Sequence, residues 1–367
     1  MEIFLLSKFG DVMSSMLYVG IALLVLLVMI TVHEFGHYVA GKIFGFGIEE
    51  FAIGFGPQIF KKKLKNGELF SIRCLPLGGY CAFKGEDKED EDPLAFNNKK
   101  PWQRIIVLVS GALMNYLLAL LIIVTMFGVY GKTCIMTYNV NENYFVSEQT
   151  SFKDRDVILS ANGKNVFMLT DLMTAVEEKE KGDIVTFEIL RGGERKTIEF
   201  SLLSHTNFKS LEDAETLFKA MGIDYNDSDS GLRSTGVKLG VFETIGSSFI
   251  YSFKIAGTIF TTIRQLFTGA IGLSSIGGTV TTISVTANVV RAGGLWSLLS
   301  ITSFIGVNLA LFNLLPIPAL DGSRALFTTI EWVRKKPLNR RIEGLIHGVG
   351  FVLLLLFAIL VDLQRCF

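Results

Sequence analysis

The sequence predicts a polytopic α-helical membrane protein of about four transmembrane helices, with a β-hairpin on one side of the membrane and one small α+β domain on the other. Half of its 367 residues are hydrophobic, 30 of them Phe, yet 19% are charged. The mean hydropathy of +0.44 therefore averages two unlike parts, one for lipid and one for water. Four segments are apolar over the ~20 residues that a span requires: about 13 to 40, 104 to 130, 297 to 319 and 344 to 362. Between the second and third, residues 133 to 205 change texture to turn signals and short alternating runs.

The first span is read as retained, because no charged leader region or small-residue cleavage site precedes it. It ends in His33-Glu34-Phe35-Gly36-His37. Residues four apart share a helix face, so both imidazoles can reach one metal ion while Glu34 polarises a bound water, the pattern of a zinc-dependent hydrolase. The competing reading, two structural histidines, is weakened by the cost of polar groups in hydrocarbon.

The connector after this span carries Lys61, Lys62, Lys63, Lys65, Arg73, Lys84, Lys88, Lys99 and Lys100, and the one before the last span carries Arg334, Lys335, Lys336, Arg340 and Arg341. By the positive-inside bias both are cytoplasmic, even though the first also holds the acidic run Glu86 to Asp92. Phe51 to Phe60 and Leu69 to Cys74 alternate like strands about an Asn66-Gly67 turn, which makes a hairpin. In the second span Gly111 and Asn115 lie one turn apart and suit close helix packing.

In the outer domain, Val157 to Val166 reads as strand, Asn-Gly turn, strand. Thr170 to Lys181 reads as a helix, and Ile184 to Leu190 with Lys196 to Leu202 as a hairpin. Thr206 to Leu232 is a polar connector, residues 242 to 268 form an amphipathic helix for the outer interface, and Leu273 to Arg291, rich in Gly, Ser and Thr, is a candidate mobile gate. The divisions are thus 1–45, 46–103, 104–131, 132–205, 206–296 and 297–367.

The first and third spans descend in the same direction, so Asp321, at the end of the third, comes to the depth of His33 and His37. It is the candidate third ligand, leaving a fourth tetrahedral position for water. An ordinary Asp-Gly turn is the alternative. Pro316 and Pro318 make the backbone before it irregular, which is tolerated at membrane depth only beside protein or a water-filled cavity.

Net charge of +0 argues against nucleic acid as a partner. Cys74, Cys81, Cys134 and Cys366 lack metal or disulfide spacing, and His205 and His347 sit in no spaced motif, the latter read as interfacial and solvated. A proton or ion transporter using His33, Glu34 and Asp321 is the competing class, but paired repeats with broken helices are missing.

The HEFGH run together with Asn313-Leu-Leu-Pro-Ile-Pro-Ala-Leu-Asp-Gly322 resembles the site-2 protease family of intramembrane zinc metalloproteases, and Glu49 to Pro57 and Leu75 to Glu86 resemble its bacterial regulator-of-sigma-E branch. This resemblance implies a Zn2+ cofactor held by His33, His37 and Asp321, Glu34 as the catalytic residue, and a membrane-associated hairpin. Asn313, with Pro316 and Pro318, is implied to hold the substrate backbone. Implied substrates are transmembrane proteins such as anti-sigma factors or remnant signal peptides, cut within the bilayer of a bacterial inner (cell) membrane by an active site towards the cytoplasmic side. The outer domain resembles a PDZ domain through Asp156 to Lys164, with Arg155 where that pattern has glycine.

Overall fold

A computed structural model describes residues 2–86, 90–140, 152–176, 183–201, 231–269, 272 and 277–364. Most of the polar connector at 206–232, residues 147–151 ahead of the second domain's core, the end of the Thr170 to Lys181 helix, His205 and Cys366 lie outside them. The chain forms two compact units, residues 1–123 with 252–367, and residues 124–251.

In the first unit, α1 (Glu2–Ile43) carries the His-Glu-Phe-Gly-His run in its last three turns. A bent hairpin follows, β1 (Ile48–Lys63) and β2 (Leu69–Phe83), both longer than the alternation alone indicates. Gly54 and Gly56 take φ of 89° and 83°, a region open to glycine, and a Cβ at Gly54 would lie 2.8 Å from the Leu75 carbonyl. The bend folds β1 back, so the pairing has four segments in the order 58–63, 69–73, 50–53, 79–83. One edge of this small sheet is lysine-rich and the other faces α1.

Helix α2 (Pro101–Tyr130) packs on α1 with almost no space between backbones. A Cβ on Gly36 would lie 2.4 Å from the Ser110 carbonyl oxygen, and one on Gly111 2.4 Å from His37 Nε2.

In the second unit a six-stranded sheet has the order β7 (Glu194–Ser201), β6 (Ile184–Arg191), β4 (Val157–Ala161), β3 (Lys132–Tyr138), β8 (Gly231–Val237), with β5 (Lys164–Asn165) paired to β4. Helix α3 (Leu169–Val176) contributes Leu172 to a core with Phe152, Ile158, Phe187 and Ile189. Strand β8 lies beyond residue 205, where the sequence indicates a linker, because a strand reading Gly-Leu-Arg-Ser-Thr-Gly-Val lacks an apolar alternation. Asp156 is fully buried and bound through both carboxylate oxygens by Arg191, at 2.7 and 2.6 Å. Arg155 takes φ of 65°, a backbone region that favours glycine.

Helix α4 (Val241–Phe267) begins in the second unit and ends in the first. Its apolar side chains include Phe242 at 91% and Phe253 at 65% exposure.

The third apolar helix, α5, runs over Thr279–Leu314, 18 residues earlier than the span read at 297 and short of both prolines. Residues 279 to 291 of the candidate gate are thus helical; the rest of that segment lies mostly outside the described residues. Thr and Ser lower the hydropathy of this stretch without preventing a helix, and the break falls at Gly294, with φ of 60°. Asp321 is the first residue of a further helix, α6 (Asp321–Arg334), rather than the end of the third span. The short α6 and a final helix α7 (Arg340–Gln364) complete the unit. Among the described residues, four helices are long and apolar enough to cross a membrane: α1 from Met13, α2, α5 and α7.

Candidate metal centre

Each element brings one part of the centre. His33 and His37 sit on one face of α1, both buried, with rings 4.8 Å apart at 83°. Asp321 arrives from α5 by way of the Leu315 to Leu320 turn. Gly322 permits that turn, since a Cβ there would lie 2.4 Å from the Leu314 carbonyl oxygen. One ligand atom from each of His33, His37 and Asp321 lies within 4.8 Å of the others. In detail, Asp321 Oδ2 is 2.9 Å from His33 Nε2 and 3.2 Å from His37 Nε2, and the two Nε2 atoms are 3.1 Å apart.

This donor set suits zinc. A tetrahedral ion with bonds of about 2.0–2.1 Å separates its ligand atoms by roughly 3.3 Å, so small outward shifts would accommodate it. The rings are also oriented for a metal. His37 Nδ1 donates to the Val107 carbonyl at 2.8 Å, which leaves the Nε2 lone pair facing Asp321. His33 Nδ1 lies 3.4 Å from the amides of both Asn115 and Asn313. Asn115 is fully buried and its Oδ1 has no hydrogen-bond partner among the described residues, so half a turn of its amide gives His33 Nδ1–H an acceptor. Gly111, one turn before Asn115, lets α2 come this close to both rings.

Glu34 faces the hairpin. Its Oε2 accepts the backbone N–H of Cys81 at 3.0 Å, on the sheet edge formed by 79–83. A cavity of about 430 Å³ lies between them, lined by Glu34, His37, Tyr80, Cys81, Asp321 and Arg324 among others. Arg324, one turn after Asp321, forms an ion pair with Glu86 at the cavity wall.

The structure brings His33, Glu34, His37 and Asp321 together, with Asn313 against His33. Of the two prolines, Pro316 is exposed and Pro318 is half-buried, with its Cβ where a side chain on Gly350 would otherwise lie. Sequence reading missed His347. It is no ligand, but neither is it a solvated interfacial group: its Nδ1 accepts the N–H of Ala319 at 3.1 Å and its ring packs on Phe327. It thus braces the turn that delivers Asp321, at a residue with φ of 79°. The available signal was a histidine inside an apolar helix of a chain with only 4.

The sequence pattern of peptidase family M50 matches residues 21–357. A Clostridium perfringens protein whose name assigns it provisionally as a zinc metalloprotease is 31% identical over 361 residues, covering 95% of this chain and 98% of that one. The regulator of sigma-W protease RasP of Bacillus subtilis is 27% identical over 421 residues, covering 91% and 95%. Zinc metalloprotease RasP of Bacillus licheniformis is 27% identical over 422 residues, covering 91% and 96%. With four helices fit to cross a membrane and a match over nearly its whole length, the chain belongs to peptidase family M50, the site-2 type of membrane zinc metalloproteases.

Proposed function

We propose that His33, His37 and Asp321 hold the zinc, that Glu34 is the general base, and that the enzyme cuts the transmembrane segments of single-pass substrates in regulated intramembrane proteolysis. The observation that carries this reading is the convergence of three ligand atoms within 4.8 Å, with Glu34 lining the same cavity as His37 and Asp321. Held there, zinc would supply the Lewis acidity that lets a water be deprotonated near neutral pH. Glu34 takes that proton on its carboxylate and returns it to the leaving amine. The Cys81 N–H engages Oε2, leaving Oε1 for the proton. Asn313, with Pro316 and Pro318, holds the substrate backbone near the reacting carbonyl, and the sheet edge at 79–83 pairs with an extended substrate strand.

The substrates are anti-sigma factors or remnant signal peptides, a class supported by the sigma-W regulator among the relatives. The protein resides in the bacterial cell membrane, with its active site towards the cytoplasm, as the Lys and Arg of the connectors support. The second unit is a PDZ-like extracytoplasmic domain that keeps bulky outer domains away from the cavity by size. The proposed layout keeps the divisions given by the sequence, with β8 added to the second unit and the third span extended back to Thr279. A panel of single-span reporters tests the substrate class: anti-sigma and signal-peptide segments trimmed on the outside are cut, and the same segments with large outer domains are spared. Equal cleavage with and without the outer domains contradicts the filter.

A further inference from the structure

The edge of the small sheet away from Glu34 and the turn that follows it carry four lysines, Lys61, Lys62, Lys63 and Lys65, all exposed. Among the described residues none of them forms an ion pair. The nearby carboxylates are engaged elsewhere: Glu50 with Arg73 at 2.9 Å, and Glu68 with Lys42. Beside the lysines, Ile59 is 71% and Phe60 48% exposed. A soluble surface rarely sets large apolar side chains against an unpaired cationic run; an interface with lipid suits both.

The depth of this edge is fixed by contacts with α1. Glu68, which follows the Lys65-Asn66-Gly67 turn, is bound by Lys42 and by Tyr38 Oη at 3.3 Å, both in the last turns of α1. Phe51 continues the contact, with its ring 5.4 Å from Tyr38 and 6.2 Å from Phe70, which in turn meets Phe60 at 6.5 Å. The tip therefore stands level with the end of the first span, where lipid headgroups begin. Clustered lysines just beyond a span match an anionic surface, and the rings below them match the acyl boundary.

We propose that Lys61, Lys62, Lys63 and Lys65 form a docking site for anionic phospholipid headgroups, with Ile59 and Phe60 seated in the underlying interface. Because 58–63, 69–73, 50–53 and 79–83 are one continuous sheet, a lipid-held tip also steadies the edge whose Cys81 amide engages Glu34. Lipid charge then adjusts proteolysis through the hairpin. The docking itself rests on the chain being a membrane protein and not on the catalytic assignment.

The test is lysine footprinting of the full chain in lipid nanodiscs, using an uncharged acylating reagent and reading each site by mass spectrometry. Discs of phosphatidylcholine alone are compared with discs containing phosphatidylglycerol, for the wild type and for Glu34→Gln. Labelling at Lys61, Lys62, Lys63 and Lys65 is expected to slow by about threefold or more in the anionic discs, with the difference shrinking when salt brings the Debye length to about 3 Å. Exposed Lys164 serves as the reference and keeps its rate. Reporter cleavage by the wild type is expected to rise in anionic discs, and cleavage by the combined Lys61→Gln, Lys62→Gln, Lys63→Gln and Lys65→Gln variant to be the same in both. Equal labelling of the four lysines in both discs overturns the proposal, as does protection that appears only when an acidic substrate is added. Protection without cleavage, as expected for Glu34→Gln, leaves the docking standing and separates it from the catalytic reading.

Discussion

The backbone N–H of Cys81 donates to the carboxylate of Glu34 at 3.0 Å, so an edge strand of the hairpin orients the acidic residue of the first helix. Because the donor is the amide, side-chain identity is secondary. Cys81→Ala should retain activity, whereas Cys81→Pro deletes the N–H at an edge facing away from the sheet, where proline is otherwise tolerated. Loss of a hydrogen bond to a charged group, worth about 1.5–3 kcal/mol, corresponds to a fall of roughly 10- to 100-fold in kcat. Equal rates for the two variants would show that the amide has no part in catalysis.

Gly111 lets α2 pass close to the centre. A methyl group there would sit 2.4 Å from His37 Nε2 and 2.8 Å from His33 Cε1. Gly111→Ala is expected to displace both rings and to lower zinc content and activity together. Gly20→Ala on α1, with nothing within 4 Å, is expected to change neither. Metal analysis of the two purified variants decides the matter.

The buried pair Arg104–Glu331, at 2.7 Å with side chains 5% and 6% exposed, ties α2 to α6 and hence supports the helix that begins with Asp321. Glu331→Ala leaves a buried guanidinium without this partner and should cost about 3–5 kcal/mol in stability. Burial raises the pKa of Glu331, but the Leu338 N–H, Arg104 and Arg340 outweigh it and hold the carboxyl below its ordinary value. A depressed folded pKa contributes stability above the ordinary carboxylate range and loses it as pH falls through the folded value. The melting difference between wild type and Glu331→Gln should therefore be full near pH 7 and shrink below about pH 4. A difference that grows in acid would contradict this assignment.

Arg155 occupies a left-handed backbone conformation at φ of 65°. Arg155→Gly removes a strain of about 1–2 kcal/mol, partly offset by the greater freedom of glycine when unfolded, so the second unit should gain about 0.5–1 kcal/mol. Hydrogen exchange of β4 and β6 in the full chain reads this directly, and faster exchange in the variant would refute it.

His347 offers a different kind of test because it touches the turn and no ligand. His347→Ala should reduce activity by removing the acceptor for the Ala319 N–H, and His347→Asn, whose carbonyl can accept, should restore part of it. Zinc content should fall less than kcat in both. Unchanged kinetics for His347→Ala would remove the brace from the account.

What the sequence made legible is what depends on spacing. His33 and His37 at four residues apart share a face on any helix, and Asn66-Gly67 turns a hairpin in any context. Gly111 and Asn115 were recognisable as a packing pair, though their place against the two imidazoles depends on how α2 meets α1. Asp321 was found by residue type and depth, yet its position at the start of a separate helix was hidden, because the prolines that end α5 look like the end of a span. The early start of α5 was obscured by Thr and Ser, which are compatible with a membrane helix but lower its hydropathy. The four-segment sheet depends on a bend at Gly54 and Gly56, and the roles of the Cys81 amide, the Val107 carbonyl and His347 are tertiary contacts with no local signature.

The most direct test of the account measures zinc per chain and cleavage of a transmembrane reporter on the same preparations of wild type, Glu34→Gln and Asp321→Asn. The account predicts about one zinc per chain in wild type and Glu34→Gln, less in Asp321→Asn, and cleavage reduced by about 100- to 10,000-fold in Glu34→Gln, the range for loss of a general base. Undiminished cleavage by Glu34→Gln, or by wild-type protein stripped of zinc, would contradict it.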